Sequence, residues 1–202
     1  AHCAFEYVYL ARPESEIDGR SVAEVREALG RALAARLAAN GASSEDFDVA
    51  FEVPTSAEDA AVAFAHAARV PYRRGIRRNA YTHRSFIAAS SDLRKAVARG
   101  KFHVARRIVA QKRVAVVDDS IVRGTTARAL MHELRDKGAA HITLLSAAPP
   151  VRHPCVYGID MAVRSDLVAR EHDGASLAAQ LDADRVIYQR TEEFAEALGG
   201  LP

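Results

Sequence analysis

Apolar positions along the chain alternate between runs with a two-residue period and stretches with a 3.6-residue period, the alternation of strands and helices that builds an α/β domain. Phe5 to Ala11 (FEYVYLA) is a β-rich run closed by Arg12 and Pro13, and it predicts a first strand. Ser21 opens a long amphipathic helix, with Glu24 three residues on as a capping box and Gly41 just past its end. Phe47 to Val53 predicts a second strand, followed by Pro54, Thr55 and Ser56 and then a helix over Ala57 to Arg69. Glu58 and Asp59 suit the positive end of that helix. Val70 to Ile76 predicts a weak strand, and Arg77 to Ser91 shows neither period and reads as a long polar loop of the kind that carries function.

The most continuous strand pattern is Arg113 to Val117, apolar after its first residue and rich in β-branched valine as a strand covered on both faces should be, and it runs straight into Asp118 and Asp119. A helix over Thr125 to Lys137 ends at Gly138, and an apolar strand follows at His141 to Ser146, completing a βαβ unit. From Pro149 to Pro202 the chain holds a Pro-rich turn, the string CVYGIDM, two short helical patterns, a strand at Arg185 to Tyr188 and a final helix. No repeat, low-complexity stretch or linker divides residues 1–202, so a single domain is expected.

Composition narrows the class without naming a function. The 202 residues are 49% hydrophobic and 27% charged, within the globular range. A net charge of +2 is too small for a general nucleic-acid coat or a polybasic membrane anchor, so neither partner is expected. The apolar runs are far short of the roughly 20 residues of a membrane span, and no signal peptide opens the chain. Two cysteines, Cys3 and Cys155, are too few and too distant for a secreted disulfide framework, which makes a cytoplasmic protein the expectation. The first residue is Ala rather than Met, as in a processed or trimmed start.

The candidate chemistry sits after the Arg113 to Val117 strand. In an open parallel sheet, ligands bind off the carboxyl ends of the strands, where Asp118, Asp119 and the loop Ser120 to Thr126 must lie. Adjacent carboxylates there repel one another and call for a polyol, a cation or a set of donors. Gly124, Thr125 and Thr126 at a helix start offer open backbone N–H groups, two hydroxyls and the positive end of the helix dipole, a phosphate site to which Arg123 adds charge. The competing reading is two solvated aspartates and an ordinary helix cap. Neither G-x-x-x-x-G-K-[ST] nor G-x-G-x-x-G occurs, so the ATPase and dinucleotide readings lack their motif.

The string RVAVVDDSIVRGTT resembles the phosphoribosyl pyrophosphate (PRPP) signature of type I phosphoribosyltransferases, in the form found in the amidophosphoribosyltransferase family. FEYVYLARPESEIDG, NAYTHRSFI and HPCVYGIDM resemble that family's other signatures in the same order, so the likeness covers nearly the whole chain. It implies a mostly parallel, twisted sheet flanked by helices, with a flexible lid and a small hood. It also implies Mg²⁺-dependent displacement of pyrophosphate from C1 of PRPP by a nitrogen nucleophile. Asp118 and Asp119 match the acidic pair that holds the ribose hydroxyls and, through Mg-PRPP, the metal. Ser120 and Arg123 to Thr126 match the 5′-phosphate loop, and Pro54, Thr55 and Ser56 match the pyrophosphate loop. Tyr81 to Ile87 matches the lid, with Arg84 and Lys101 as catalytic cations and Arg78 in the substrate-binding set. A homo-oligomer is expected.

The chain also departs from that pattern. The family reads NRYVGRTFI in the lid, where Ala80, His83 and Ser85 stand here, and it has aspartate where Thr55 stands. The family's glutaminase half has no counterpart in these residues. Together these features favour a nucleobase-like acceptor, of the 7-deazapurine kind used in nucleoside antibiotic pathways, with Tyr81, His83, Phe86 and Tyr157 lining its slot. Free ammonia as nucleophile, or a regulator that binds PRPP without catalysis, are the alternatives. Cys3 and Cys155 match two of the four cysteines of an iron–sulfur cluster in one branch of the family and are candidate ligands, although the other two have no counterpart. A zinc site from His2, Cys3, His153 and Cys155 is a further option, as is a pair of inert, buried thiols.

Overall fold

The computed structural model describes residues 3–78, 102–155, 164–170 and 174–200. Its main sheet is wholly parallel, ordered β3 (Val49–Glu52), β6 (Arg113–Asp118), β7 (His141–Ser146), β8 (Arg185–Tyr188). β3 lies within its predicted run, β6 extends its run by one residue to Asp118, and β7 and β8 match theirs residue for residue. The pattern is legible because β6 and β7 are buried on both faces beyond their first residue, which selects uninterrupted apolar runs.

Helices cover both faces. On one, Ala115, Val117, Leu145 and Ile187 pack against α1 (Val22–Ala39), α2 (Glu58–Ala68) and the last helix, α6 (Thr191–Ala197), through Leu29, Leu33, Phe64 and Phe194. On the other, Val114, Val116, Leu144 and Val186 meet α4 (Thr125–Asp136) and α5 (Gly174–Leu181) through Leu130, Met131, Leu134, Leu177 and Leu181. Ser21 caps α1 by accepting from the Glu24 N–H, as its spacing predicts. Gly30 lets α1 and α2 approach: a Cβ there would lie 2.1 Å from the Ala60 carbonyl oxygen. A short helix, α3 (Arg106–Val109), precedes β6.

Three expectations need correction. Phe5 to Ala11 forms no strand; Glu6–Leu10 is a π-helix closed by the Ala11 N–H donating to the Glu6 carbonyl at 2.8 Å. Tyr7 and Val8 are neighbours and both buried, whereas a strand would alternate them. The guanidinium of Arg26 in α1 holds the turn by donating to the carbonyls of Tyr7 (2.8 Å) and Ala11 (2.9 Å). The Val70 to Ile76 run contributes a single bridge, Ala50 to Tyr72, to the main sheet. Its last residue instead begins β4 (Ile76–Arg78), which takes in the start of the expected polar loop and pairs antiparallel with β5 (Phe102–Val104). A small hairpin of β1 (Glu16–Ile17) and β2 (Arg20–Ser21), unanticipated from the sequence, leads into α1.

Candidate active site

The carboxyl end of β6 delivers Asp118 and Asp119 into the interior, with 9% and 8% of their surface exposed. The neighbouring strand ends alongside: the Val53 N–H donates to the Val117 carbonyl at 2.8 Å, which sets the Pro54–Ser56 turn, with its cis Pro54–Thr55 bond, beside the acid pair. Ser56 Oγ donates to Asp119 Oδ2, and Ser120 Oγ donates to Asp119 Oδ1 at 2.7 Å. Asp118 Oδ1 accepts from the Asp119 N–H at 2.9 Å.

The electrostatics of the two acids differ. Burial pushes the Asp118 carboxyl well above the usual range, and the Asp119 charge adds to the shift. Burial also raises Asp119, but the hydroxyls of Ser56 and Ser120 and the positive charge of Arg26 oppose it. Arg26 is itself buried, so its guanidinium is lowered by desolvation and supported by Asp59 and Asp119. Two adjacent, buried carboxyl groups thus share a site with less positive charge than both would need to ionise comfortably. Hydroxyl donors from a polyol, or a divalent cation, would offset the deficit, and the hard oxygen donors of Asp118 and Asp119 suit a hard cation such as Mg²⁺.

Past the acids, Ile121 is buried and the Val168 N–H donates to the Val122 carbonyl at 3.0 Å, anchoring the loop. Gly124 turns it at φ 72°, and a Cβ there would press against Leu181 and Val168 at 3.0 and 3.2 Å. No side chain caps the helix that follows, and Thr125 and Thr126 are exposed at its start. Among the described residues the first-turn N–H groups of α4 therefore have no side-chain acceptor, in a helix long enough for its dipole to count. A cleft of about 530 Å³ opens beside this terminus, lined by Arg123, Thr125, Asp166, Val168, Arg170 and Gln180 among others.

Of the residues expected from the sequence, the structure brings Ser56, Asp118, Asp119 and Ser120 into one hydrogen-bonded group, with Pro54 and Thr55 in the adjoining turn. Gly124, Thr125 and Thr126 form the helix start beyond it. Arg123 stands at the cleft, its Nε 3.7 Å from the Asp166 carboxylate, so its charge is shared with a carboxylate that the sequence did not single out. Arg78 ends β4, exposed. Tyr81, His83, Arg84, Phe86, Lys101 and Tyr157, with the lid as a whole, lie outside the described residues. Cys3 and Cys155 are half-buried rather than buried thiols, and no cluster of three or more metal-ligating side chains forms among the described residues. Arg26 went unrecognised in the sequence; its signal is a charged residue on the apolar stripe Val22, Val25, Leu29, Leu33 of α1.

Comparison with known proteins locates this arrangement. No protein-family model matches the chain. Amidophosphoribosyltransferase of Methanothermobacter thermautotrophicus is 40% identical over 199 residues, 98% of this chain and 41% of that protein. The Bacillus subtilis enzyme is 38% identical over 197 residues, again 98% of this chain and 40% of its own length. The solved glutamine PRPP amidotransferase of B. subtilis, complexed with ADP and GMP, superposes with a TM-score of 0.85 at 38% identity over 98% of this chain and 42% of that one. The chain has the phosphoribosyltransferase-domain fold of the amidophosphoribosyltransferases. A second solved structure, of the allosteric regulatory enzyme of purine biosynthesis, agrees at a TM-score of 0.86. The chain spans about two fifths of the length of these relatives. With the phosphoribosyltransferase fold in place, the expected parallel sheet with helices on both faces is borne out. No helix among the described residues is long and apolar enough to cross a membrane.

Proposed function

We propose that this chain is a PRPP-dependent phosphoribosyltransferase acting on a nitrogen nucleophile. The observation that carries the reading is the juxtaposition of the buried Asp118–Asp119 pair with an uncapped helix N-terminus in the same loop. A sugar diol satisfies the first, and a 5′-phosphate satisfies the second. Asp118 and Asp119 accept hydrogen bonds from the ribose hydroxyls. The first-turn N–H groups of α4 hold the phosphate together with Thr125, Thr126 and Arg123, and the Pro54–Ser56 turn lies by the pyrophosphate. Asp118 and Asp119 would hold a Mg²⁺ carried with PRPP, which would supply charge neutralisation for the leaving group.

In the reaction the acceptor nitrogen's lone pair forms the bond to C1 as the C1–oxygen bond to pyrophosphate breaks. The electron pair leaves with pyrophosphate, and the nitrogen's extra proton passes to solvent. Positive charge builds on the ribose ring, next to two carboxylates already positioned for it. Arg84 and Lys101, carried over from the family resemblance, balance the pyrophosphate, and lid closure excludes the water that would hydrolyse PRPP.

The favoured acceptor is a heterocycle of the 7-deazapurine class, because Ala80, His83 and Ser85 depart from the family pattern in the lid and Thr55 departs from it in the pyrophosphate loop. The names of the relatives support a second reading, in which ammonia is the nucleophile and phosphoribosylamine the product. A non-catalytic PRPP-binding regulator is the third. An acceptor screen with PRPP and Mg²⁺, read by pyrophosphate release, separates them. Release with a deazapurine base supports the first, release with ammonia and no base the second, and PRPP binding without release the third. Iron and sulfide analysis of anaerobically purified protein tests Cys3 and Cys155 as cluster ligands.

A further inference from the structure

Across the carboxyl ends of β6, β7 and β8, Asp118 stands in register with Ser146, and Ser146 with Tyr188. Paired residues of parallel strands project to the same face, so these side chains form one row spanning two strand spacings, about 10 Å. Tyr188 packs on the core that contains Val116 and Leu144, the face that Asp118 shares. The middle member is small and engaged elsewhere, since Ser146 Oγ donates to the Ala148 carbonyl at 2.8 Å. Tyr188 and Asp118 therefore share a face of the sheet, with the small Ser146 the residue between them in the row.

Both ends of the row are short of hydrogen bonds. The Tyr188 hydroxyl is buried and has no partner among the described residues. The Asp118 carboxylate accepts one hydrogen bond among the described residues, from the Asp119 N–H. Asp119, by contrast, takes the hydroxyls of both Ser56 and Ser120. A buried hydroxyl left unpaired costs stability, and an ionised carboxylate offers about four acceptor positions. A donor without an acceptor thus lies on the same face as an acceptor with spare capacity.

We propose that Tyr188 is a positioning residue for Asp118, its hydroxyl being the donor that Asp118 takes up when the ribose diol of PRPP engages the acid pair, fixing the carboxylate for the sugar. The inference rests on the phosphoribosyl-transfer reading above. The electrostatics agree: the Tyr188 hydroxyl is raised above the ordinary phenol range first by burial and then by the Asp118 charge, with Arg152 opposing.

The test is Tyr188→Phe, which removes one oxygen and keeps the ring. A purely structural hydroxyl without a partner predicts unchanged kinetics and an equal or higher melting temperature. The proposed role predicts a PRPP KM raised about five- to tenfold, kcat within about twofold, and a melting temperature no lower than wild type. In an Asp118→Ala background, which removes the acceptor, calorimetric PRPP binding should be insensitive to the same substitution. An unchanged KM overturns the proposal, as does a melting temperature that falls while KM and kcat move together, or an equal loss of binding in the Asp118→Ala background. If wild-type protein neither binds PRPP nor releases pyrophosphate, the phosphoribosyl-transfer reading itself fails. If wild type is active and Tyr188→Phe is indistinguishable from it, only this inference fails.

Discussion

Asp118 places a carboxyl group where the fold gives its charged form little in return: it is buried, adjacent to a second carboxyl, and hydrogen-bonded to one backbone N–H among the described residues. Such a group is retained for what it binds rather than for what it stabilises. Asp118→Asn should therefore separate the two quantities. We expect PRPP-dependent pyrophosphate release to fall by at least about a hundredfold, the scale seen when one preorganised electrostatic group is removed. The melting temperature of the ligand-free protein should hold or rise, because the amide needs no counter-charge. A melting temperature well below wild type would mark Asp118 as part of the scaffold. At this scale the acid pair and the Gly-Thr-Thr start were legible, because their chemistry is contained in nine consecutive residues. Arg26 and Tyr188 were not: Arg26 stands out only as a charge on an apolar stripe and Tyr188 not at all, and their meaning comes from Tyr7 and Ala11 in one case and Ser146 and Asp118 in the other.

The elements were legible wherever local pattern and tertiary burial agree. β6, β7 and β8 are apolar because both their faces are covered, and α4 is amphipathic because one of its faces is. The Phe5 to Ala11 run misled because its aromatic and β-branched residues favour strands, while packing against α1 and the Arg26 guanidinium favour a tight helical turn. Asp184 shows how such elements are tied together. Its carboxylate accepts from the Ile142 N–H at 2.7 Å and pairs with Arg135 of α4 at 2.6 Å, clamping the approach to β8 onto β7. Burial alone would raise this carboxyl, but the Ile142 and Arg135 contacts together hold it below the usual range. A depressed folded-state value contributes stability above the unfolded value, about pH 3.9, and loses it as pH falls through the folded one. Asp184→Asn should accordingly cost about 1 kcal/mol at pH 7, after discounting for solvent, or about 2–4 °C in melting temperature. The gap should stay constant from pH 7 to pH 5 and narrow below about pH 4. A gap independent of pH down to pH 3 would show that the charge contributes nothing.

At the scale of the molecule, the parallel sheet brings together residues that the sequence holds apart: Ser56 and Asp119 are 63 positions distant, yet they hydrogen-bond because β3 and β6 are neighbours. A βαβ pattern announces a parallel pair, but which strand lies beside which is set by long-range packing, so the partnership of Ser56 with Asp119 was not readable beforehand. This convergence gives the last prediction. PRPP that bridges the acid pair, the Pro54–Ser56 turn and the α4 N-terminus binds groups from separate elements, and binds them only when folded. Ligand linkage then stabilises the whole molecule by about 2.7 kcal/mol at a hundred times the Kd. For a chain of this length that corresponds to a rise of about 5–10 °C in melting temperature. The rise should require Mg²⁺, because the buried carboxylates and the pyrophosphate otherwise repel one another, and EDTA should remove most of it. Ribose 5-phosphate, which keeps the sugar and the 5′-phosphate, should retain a smaller, metal-independent part. A rise of equal size with PRPP in EDTA would place the pyrophosphate away from Asp118 and Asp119, and no rise with either ligand would remove the site from β6.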